Sequence, residues 1–327
     1  MSEPQVASQS VLAPFGLITA ELAEVENRLA DVLAQENSLV QAVSDHLLKA
    51  AGKRVRPALV LLAARAVGRK PAAPIGIATA VELIHMATLV HDDIIDRADT
   101  RRGIASLRRA FNDQVAVLTG DFLFARAFQL LAATANPALV AVAADVVRTM
   151  CVGEIQENLE AGQPGTEEQY LARIEAKTAA FLSASCRLGA LAAGALPRQA
   201  EALARYGWHV GMAYQLYDDL LDLVGDADQI GKAVAADFSQ GVITLPVLYA
   251  LERWREPKQL TAALGRDDEE ARRAARRILE ETGALNDTRR LAEGHVSHAI
   301  GALDVLKPGP ARVALEQLAG FVLTRPY

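Results

Sequence analysis

The acidic pentamer DDxxD occurs twice in this 327-residue chain, and each copy closes a long apolar run. In a helix, positions i and i+4 share a face, so Asp92 and Asp96 point together, as do Asp218 and Asp222. Carboxylate oxygens are ligands for hard cations such as Mg²⁺, which bridge them to phosphates. A single pentamer is more often a solvated acidic helix end. Two copies indicate a pair of metal-binding faces that can clamp a diphosphate.

The first pentamer is predicted to lie at the C-terminal end of a helix, where the helix dipole disfavours negative charge. A bound cation would relieve that conflict. Arg101 and Arg102 follow shortly after Asp96. Guanidinium groups bind diphosphate oxygens through charge-assisted, often bidentate hydrogen bonds. We interpret this segment as one half of a metal and diphosphate site.

The second pentamer has polar neighbours on its own helical face. Gln215 lies three residues before Asp218, where it can hydrogen-bond to a substrate or to water around a metal ion. Tyr214 lies one turn back, and lining the site and ordinary core packing are equally good interpretations of it. Lys232 follows Gly231 in a predicted loop; taken alone, it would be a surface lysine.

Two basic elements stand apart from the pentamers. Three cations between Lys53 and Arg56 precede a helix that Pro57 can start, and cations at a helix N-terminus form an anion site. In isolation this segment would be a solvated basic turn. The pair Lys177-Thr178 lies within an otherwise apolar helical run, where the lysine needs a partner or an anion, or reaches solvent along its stem.

The elements that must position these residues are predicted to be helices. Apolar residues make up 51% of the chain and aromatic residues 5%, which suits packed helices. No run alternates with period two for long enough to indicate a strand, and no linker divides the chain. We predict one all-α bundle over residues 12–327 after a disordered tail at 1–11. Its helices are predicted at 15–35, 37–51, 55–68, 74–97, 104–109, 112–133, 137–161, 166–195, 197–225, 238–254, 257–263, 267–283, 285–303 and 308–323.

Charge, cysteines and hydropathy exclude several functional classes. The formal charge of −6 argues against a nucleic-acid surface, although bound cations can reverse the local sign for an anionic substrate. Cys151 and Cys186 form no CxxC pair and indicate neither a disulfide nor a zinc site. The N-terminus shows no signal-peptide pattern. Glu82, His85 and His91 interrupt the apolar stretch 75–95, so we expect a soluble, cytoplasmic protein without a membrane span.

Together these motifs resemble the trans-isoprenyl diphosphate synthases, which condense isopentenyl diphosphate with an allylic diphosphate. The motifs occur in that family's order and spacing from about residue 12 to the end: GKRVRP, HDDIIDRADTRRG, LTGDFLFARA, AKT, YQLYDDLLDLVGD, GK and GVITLP. The resemblance implies an all-α fold around a central cavity, a homodimer and up to three Mg²⁺ ions per active site. It implies at most a peripheral membrane contact when the product is released.

The resemblance also implies roles for individual residues. Metal binding would fall to the aspartates, directly for Asp92, Asp96 and Asp218, and in support for Asp93, Asp219 and Asp222. The allylic diphosphate would be held by Arg101, Lys177 and Lys232. Isopentenyl diphosphate would be held by Lys53, Arg56, His85 and Arg102. Beside the reacting carbons would lie Thr178 and Gln215. Outside its motif, His85 would be interpreted as a satisfied core histidine.

The chain departs from the family's pattern in loops near the diphosphates. Ala105 replaces the usual proline after RRGx, and Asn112-Asp113 replaces the usual Gly-Asn. The loop AVAAD after Lys232 lacks the usual Pro and Gly, and Val242 stands where many members have lysine. These changes bear on rate and on loop order, and they leave both pentamers intact.

Two alternative functions share part of this pattern. A class I terpene cyclase has the same fold and the first aspartate motif, but such enzymes replace the second motif and lack a GKRVRP site. A non-catalytic partner that regulates another prenyl synthase would be expected to lose aspartates, whereas all six are present here. Diphosphate release by the isolated protein separates these alternatives.

Product length is predicted to depend on residues before the first pentamer. In the family, a bulky residue about five positions upstream stops the chain early; here Ala87 and the following Thr88 are both small. An isoprene unit spans about one helical turn, roughly 5.4 Å, so Leu83 or Ile84 lies one turn deeper. We expect an all-trans product of geranylgeranyl length or longer. The tunnel floor is predicted among Phe122, Phe124 and Phe128.

Overall fold

The computed structural model describes residues 13–34, 37–49, 52–68, 74–160, 165–224, 238, 241–266 and 268–324. Within these ranges the protein is almost wholly helical, which confirms the predicted all-α class. The predicted tail at 1–11 and Lys232 lie outside the described residues.

The N-terminal half begins with a 3₁₀ turn, Ala13–Ile18. The helices that follow are α1 (Thr19–Leu33), α2 (Ser38–Lys49), α3 (Val55–Val67), α4 (Pro74–Ile95), α5 (Leu107–Ala110), α6 (Asp113–Ala132) and α7 (Pro137–Glu160). Between α4 and α5 lies an antiparallel hairpin of β1 (Thr100–Arg101) and β2 (Ile104–Ala105).

The C-terminal half contains the longest helix of the described chain. Its helices are α8 (Glu167–Ile174), α9 (Ala180–Ala192), α10 (Pro197–Val224), α11 (Leu245–Arg253), α12 (Pro257–Ala263), α13 (Glu269–Glu281), α14 (Ala284–Ala302) and α15 (Pro310–Phe321). A π-helical turn, Glu175–Ala179, joins α8 to α9, and a 3₁₀ turn, Leu303–Val305, follows α14.

Helix α4 lies in the centre of the main hydrophobic core, packed against α1, α3, α6 and α9. Among the described residues, α4 and α6 are long and apolar enough, by length and composition alone, to cross a membrane. In α4, 72% of that apolar window is buried inside the protein, so α4 is a core helix. In α6 the buried share is only 33%, which leaves apolar side chains on the surface.

The helix predicted at 104–109 is wrong in its first residues, because Ile104 and Ala105 form the second strand of the hairpin. Arg101 pairs with Ile104, and the residues between them, Arg102 and Gly103, have φ values of 51° and 79°. Two successive positive φ values define the tight two-residue turn that suits a twisted hairpin, and a helix cannot contain them. Helix α5 therefore begins only at Leu107, and the prediction of a strand-free chain was wrong at this point.

Two other helix starts show how local chemistry sets the boundaries. The helix predicted at 238–254 begins at Leu245, after an extended Thr244 and with Pro246 in its first turn. The predicted capping box at α8 is confirmed. The Thr166 hydroxyl accepts from the Gln169 N–H at 3.2 Å, and the Gln169 side chain accepts from the Thr166 N–H at 2.8 Å.

Candidate active site

A π-helical turn presents Lys177 and Thr178 between two long helices. Single π turns inside helices frequently occur at functional sites. Two glycines make room for this one. A Cβ at Gly211 of α10 would lie 2.4 Å from Cα of Ala179, and a Cβ at Gly153 of α7 would lie 2.4 Å from Cβ of Ala176. The turn is therefore held in close contact between α7 and α10.

A chain of hydrogen bonds runs from this turn to the second aspartate pentamer. The Thr178 hydroxyl donates to Oε1 of Gln215 at 3.1 Å, and Nε2 of Gln215 donates to Oδ1 of Asp219 at 2.9 Å. The Tyr170 hydroxyl donates to Oδ2 of Asp219 at 2.6 Å. Because both carboxylate oxygens accept from fixed donors, the buried Asp219 orients the pentamer. Asp218 and Asp222 lie half-buried on the same helix.

Lys177 places a positive charge among carboxylates near the first pentamer. Its Nζ lies 3.3 Å from Glu157 and 3.8 Å from Glu154, both on α7. Burial lowers the pKa of Lys177, but Glu157, Glu154 and Asp92 outweigh burial and raise it overall. Lys177 is thus protonated at neutral pH and interacts electrostatically with Asp92 of the first pentamer. Its neighbour Thr178 contacts α10, the helix that carries the second pentamer.

The environment of Asp92 fits a divalent cation. Burial raises the pKa of Asp92 to about 6; Lys177 opposes the rise, while Glu154 and Asp96 add to it. Oxygen donors that are partly desolvated and repel one another are a donor set for a hard cation. No three Asp, Glu, His or Cys side chains of the described chain stand close enough to enclose an ion. The remaining ligands of such an ion are therefore water and substrate phosphate, as is usual for Mg²⁺.

Asp93 and Asp96 have different surroundings from Asp92. Nε and Nη2 of Arg101 both lie 2.7 Å from Oδ1 of Asp93, which is 3% exposed. This ion pair fixes the guanidinium of Arg101 against the end of α4. Asp96 lies just beyond the last helical residue of α4 and is exposed.

A second cluster of cations surrounds His85. Nη1 of Arg56 lies 3.2 Å from Nε2 of His85, and the guanidinium lies 4.9 Å from the centre of the Phe181 ring. Because arginine only donates, Nε2 of His85 is the acceptor and its proton is on Nδ1. Burial lowers the pKa of His85 well below its usual value, and Arg56, Arg102, Arg101 and Arg54 lower it further, so the ring is uncharged at neutral pH.

Arg56 itself is left short of hydrogen bonds. Its buried Nε is among the few buried side-chain atoms of the described residues without a partner. Burial lowers the pKa of Arg56; Glu82 opposes this, and Arg102 adds to it. A buried guanidinium with an unsatisfied N–H group is an anion site, since an anion would supply both the charge and the acceptor.

The hairpin turn brings Arg102 into this cluster. A Cβ at Gly52 would lie 2.4 Å from Nη1 of Arg102, so the guanidinium packs directly on the glycine before Lys53. Lys53 is exposed. The segment 52–56 and the hairpin thus bring together three of the four cationic or histidine groups predicted for isopentenyl diphosphate: Arg56, His85 and Arg102.

Arg54, to which the sequence analysis assigned no role, joins the basic segment to α1 and α4 through two ion pairs. It is 8% exposed and adopts φ = 51°. Its Nε lies 2.5 Å from Glu26 on α1, and its Nη1 lies 2.5 Å from the buried Glu82 on α4. The sequence offered one signal for this role: the GKRVRP segment contains three cations, and only Lys53 and Arg56 were assigned to the diphosphate. Beside it lies a cavity of about 50 Å³, lined among others by Arg54, Glu82, Asp93 and Arg102.

The residues predicted to set product length lie where α4 faces the core. Leu83, Ile84 and Ala87 are fully buried. The Thr88 hydroxyl donates to the His85 carbonyl at 2.8 Å. Phe128 is a half-buried residue of α6 that packs against the main core. The role of these residues in setting product length remains a prediction.

Two of the family departures have local partners. Asn112 is the N-cap of α6, and its side chain accepts from the Val115 N–H at 2.8 Å, so the asparagine starts that helix well. The carbonyl of Ala105 lies 2.8 Å from Nε2 of His46, which ties the hairpin to α2.

Comparison with known proteins decides the family. The sequence model described as polyprenyl synthetase matches residues 37–282. The chain belongs to the polyprenyl synthetase family. It is 40% identical over 319 residues to heptaprenyl diphosphate synthase component 2 of Geobacillus stearothermophilus, covering 96% of this chain and 99% of that protein. It is 37% identical to octaprenyl diphosphate synthase of Escherichia coli, covering 90% and 94%.

Solved structures agree with this assignment. A polyprenyl synthase from Caulobacter crescentus CB15, complexed with calcium and isoprenyl diphosphate, superposes with a TM-score of 0.88 at 34% identity, covering all of both chains. As a polyprenyl synthetase, the chain is a prenyltransferase that elongates trans-prenyl diphosphates from isopentenyl and allylic diphosphates with a divalent metal. The predicted family, fold class and enzyme class are confirmed. The roles of individual residues remain predictions.

Proposed function

We propose that this polyprenyl synthetase catalyses the Mg²⁺-dependent head-to-tail condensation of isopentenyl diphosphate with an allylic diphosphate, giving an all-trans polyprenyl diphosphate and diphosphate. The observation that carries the proposal is the meeting of two kinds of site. Asp92, close to Lys177, lies on α4, and so does His85, which forms a cationic pocket with Arg56 of α3. One face suits a metal-bound diphosphate, and the other suits a diphosphate held by side chains alone.

In this proposal, up to three Mg²⁺ ions are held by the six aspartates of the two pentamers. When bound, they draw electron density from the allylic C–O bond and stabilise the leaving diphosphate. Asp92, Asp96 and Asp218 are the direct ligands. Asp219 orients the second pentamer through its bonds to Gln215 and Tyr170.

The allylic diphosphate is bound by Lys177, Arg101 and Lys232. Arg101 is held in place by Asp93, and a guanidinium has five N–H donors, so it can bind Asp93 and a phosphate oxygen together. Thr178 and Gln215 lie beside the reacting carbons as hydrogen-bonding groups. The departing diphosphate takes the final proton, so no side chain has to act as a general base.

Isopentenyl diphosphate is bound by Lys53, Arg56, His85 and Arg102. Its anionic oxygens satisfy the Nε of Arg56, which has no hydrogen-bond partner within the part of the chain that the structure describes. The uncharged His85 contributes a hydrogen bond rather than a charge. Arg102, packed on Gly52, completes the cluster from the hairpin side.

The proposed product is of geranylgeranyl length or longer. Ala87 and Thr88 are too small to end the tunnel near the first pentamer, and Leu83, Ile84 and Phe128 line the deeper core. The family relatives described above make heptaprenyl and octaprenyl products by name.

The proposed assembly is a homodimer in the cytoplasm, soluble apart from peripheral membrane contact during product release. Supporting it, α6 leaves Leu118 68% exposed, and α7 leaves Ile155 59% and Leu159 78% exposed. Apolar side chains at neighbouring positions of a surface are typical of an interface. Light scattering of the purified chain tests this; a monomer would favour a separate partner chain, as the name component 2 suggests for one relative.

The function is tested with purified full-length protein, Mg²⁺ and labelled isopentenyl diphosphate, offering each allylic primer in turn. Labelled polyprenyl diphosphate formed with equal release of diphosphate supports the proposal. Diphosphate release without incorporation of the label would indicate a terpene cyclase. Neither product nor diphosphate would indicate a non-catalytic partner.

A further inference from the structure

Three histidines gather on the side of α10 that faces away from the aspartates. His209 lies nine positions before Asp218, about two and a half helical turns, so the two side chains project from opposite faces. His295 and His298 come from α14, which packs along α10. None of these histidines belongs to the active site.

The contact between His209 and His295 is made by nitrogen atoms. Their Nδ1 atoms lie 3.0 Å apart, and the ring centres lie 5.2 Å apart. Both rings are half-buried. Burial lowers the pKa of both imidazoles, to about 4 for His295, and the neighbouring histidines add to the effect. At neutral pH, two uncharged rings therefore face each other, and the Nδ1–H of one donates a hydrogen bond to Nδ1 of the other.

The separation of the two Nδ1 atoms matches that of two imidazole ligands of one transition-metal ion, once each ring turns from the other nitrogen toward the ion. Metal–imidazole bonds of about 2.0–2.1 Å place two adjacent ligand nitrogens about 2.9–3.4 Å apart, for angles between 90° and tetrahedral. Uncharged imidazole is a preferred ligand of Zn²⁺, Ni²⁺ and Cu²⁺, whereas Mg²⁺ prefers oxygen. The ring that donates Nδ1–H only has to move its proton to Nε2, so both Nδ1 lone pairs become available without loss of a proton.

We propose that His209 and His295 form a binding site for a divalent transition-metal ion that links α10 to α14, separate from the Mg²⁺ site. His298 stacks on His209 with an interplanar angle of 28° and a ring-centre distance of 5.1 Å. A stacked ring does not point a nitrogen at the same ion, and no three ligating side chains of the described chain converge. Water therefore completes the coordination.

Trp208 supplies a reporter for the site. Its ring centre lies 4.9 Å from that of His209 and 5.5 Å from that of His295. The chain has two tryptophans, so a Trp254→Phe variant emits from Trp208 alone. Cu²⁺ bound close to an indole quenches its fluorescence.

The experiment titrates Cu²⁺ into the Trp254→Phe protein with millimolar Mg²⁺ present to occupy the aspartates. We expect saturable quenching at one ion per chain, reversal by EDTA, and no quenching by Mg²⁺ alone. His209→Gln and His295→Gln should each weaken the apparent affinity at least tenfold. His298→Gln should change it less than threefold, and His46→Gln, on α2, should leave it unchanged.

A second measurement guards against variants that fold poorly. Zn²⁺ should raise the melting temperature of the wild-type chain by roughly 2–5 °C at about 100 times its dissociation constant, and should not raise that of His209→Gln. Prenyltransferase activity of both variants should stay at the wild-type level. The proposal would be overturned if Cu²⁺ quenched the His209→Gln and His295→Gln variants with wild-type affinity. Quenching of the wild-type chain that never saturates would also overturn it.

Discussion

The hydroxyl of Tyr170 donates a hydrogen bond to Oδ2 of Asp219 across 2.6 Å, and both groups are buried. The two residues are distant in sequence, and α8 and the π turn bring them together. The bond leaves Asp219 with both oxygens engaged, because Gln215 donates to the other. Tyr170, which no sequence motif identified, thus helps to orient the second aspartate pentamer.

Tyr170→Phe is expected to lower kcat/KM about 10- to 100-fold, the equivalent of a lost hydrogen bond to a charged group. It should also raise the Mg²⁺ concentration needed for half-maximal rate. Steady-state kinetics over a range of Mg²⁺ concentrations measure both. The matched control is Tyr249→Phe, which removes an exposed bond to Glu167 and should leave both values unchanged. Wild-type Mg²⁺ dependence in Tyr170→Phe would contradict this role.

Arg54→Met is expected to lower the free energy of unfolding by about 3–5 kcal/mol, because it leaves Glu82 as a buried, unpaired charge. Urea unfolding measures the change. Glu82→Gln in the Arg54→Met background should restore part of the loss, since it removes that charge. The control Arg148→Met breaks an exposed pair with Asp145 and should cost about 0.5 kcal/mol or less. Equal costs for the two arginines would contradict the account.

The helices, the pentamers and the basic segments could be predicted from the sequence because their signals are local. Apolar periodicity marks α4, and the capping box marks the start of α8. The hairpin was missed because its evidence is a two-residue turn, and a turn of Arg102 and Gly103 is a weak signal beside a helical pattern. Contacts such as Arg54 with Glu26 and Tyr170 with Asp219 join distant segments, so no local pattern contains them.

The histidine cluster predicts a loss of stability at acidic pH. The pKa of His295 is about 4 in the folded protein and about 6.5 when unfolded, so the unfolded state binds the proton first as pH falls. His209 and His298 face His295 and lower its pKa further, and Arg205 and His298 do the same for His209. As the pH falls from 7 to 5, protonation of His295 in the unfolded state should lower the free energy of unfolding by about 1–2 kcal/mol, after allowing for the partial exposure of this residue.

Urea unfolding of metal-free protein at pH 7 and pH 5 measures that cost. His295→Asn should lose less stability than the wild type over this interval, by about the same 1–2 kcal/mol. An identical decrease in both proteins would show that His295 does not titrate as its burial implies.

Product length is predicted to respond to α4 and α6. Ala87→Phe should shorten the product, because a bulky ring at this buried position closes the tunnel near the first pentamer. Phe128→Ala should lengthen it by removing part of the floor. Chromatography of the dephosphorylated products measures both. Phe111→Ala, at a position 39% exposed, is the control and should leave the length unchanged. An unchanged product from Phe128→Ala would remove Phe128 from the tunnel.

The central claim is that both aspartate pentamers act on one metal-bound diphosphate, and single-turnover kinetics of Asp92→Asn and Asp218→Asn test it most directly. Each variant should reduce the rate of condensation by about 10³-fold or more, roughly 4 kcal/mol in the barrier, with its fold intact. Asp145→Asn, on the exposed face of α7, should react at the wild-type rate. A near-normal rate in either Asp92→Asn or Asp218→Asn would contradict the claim.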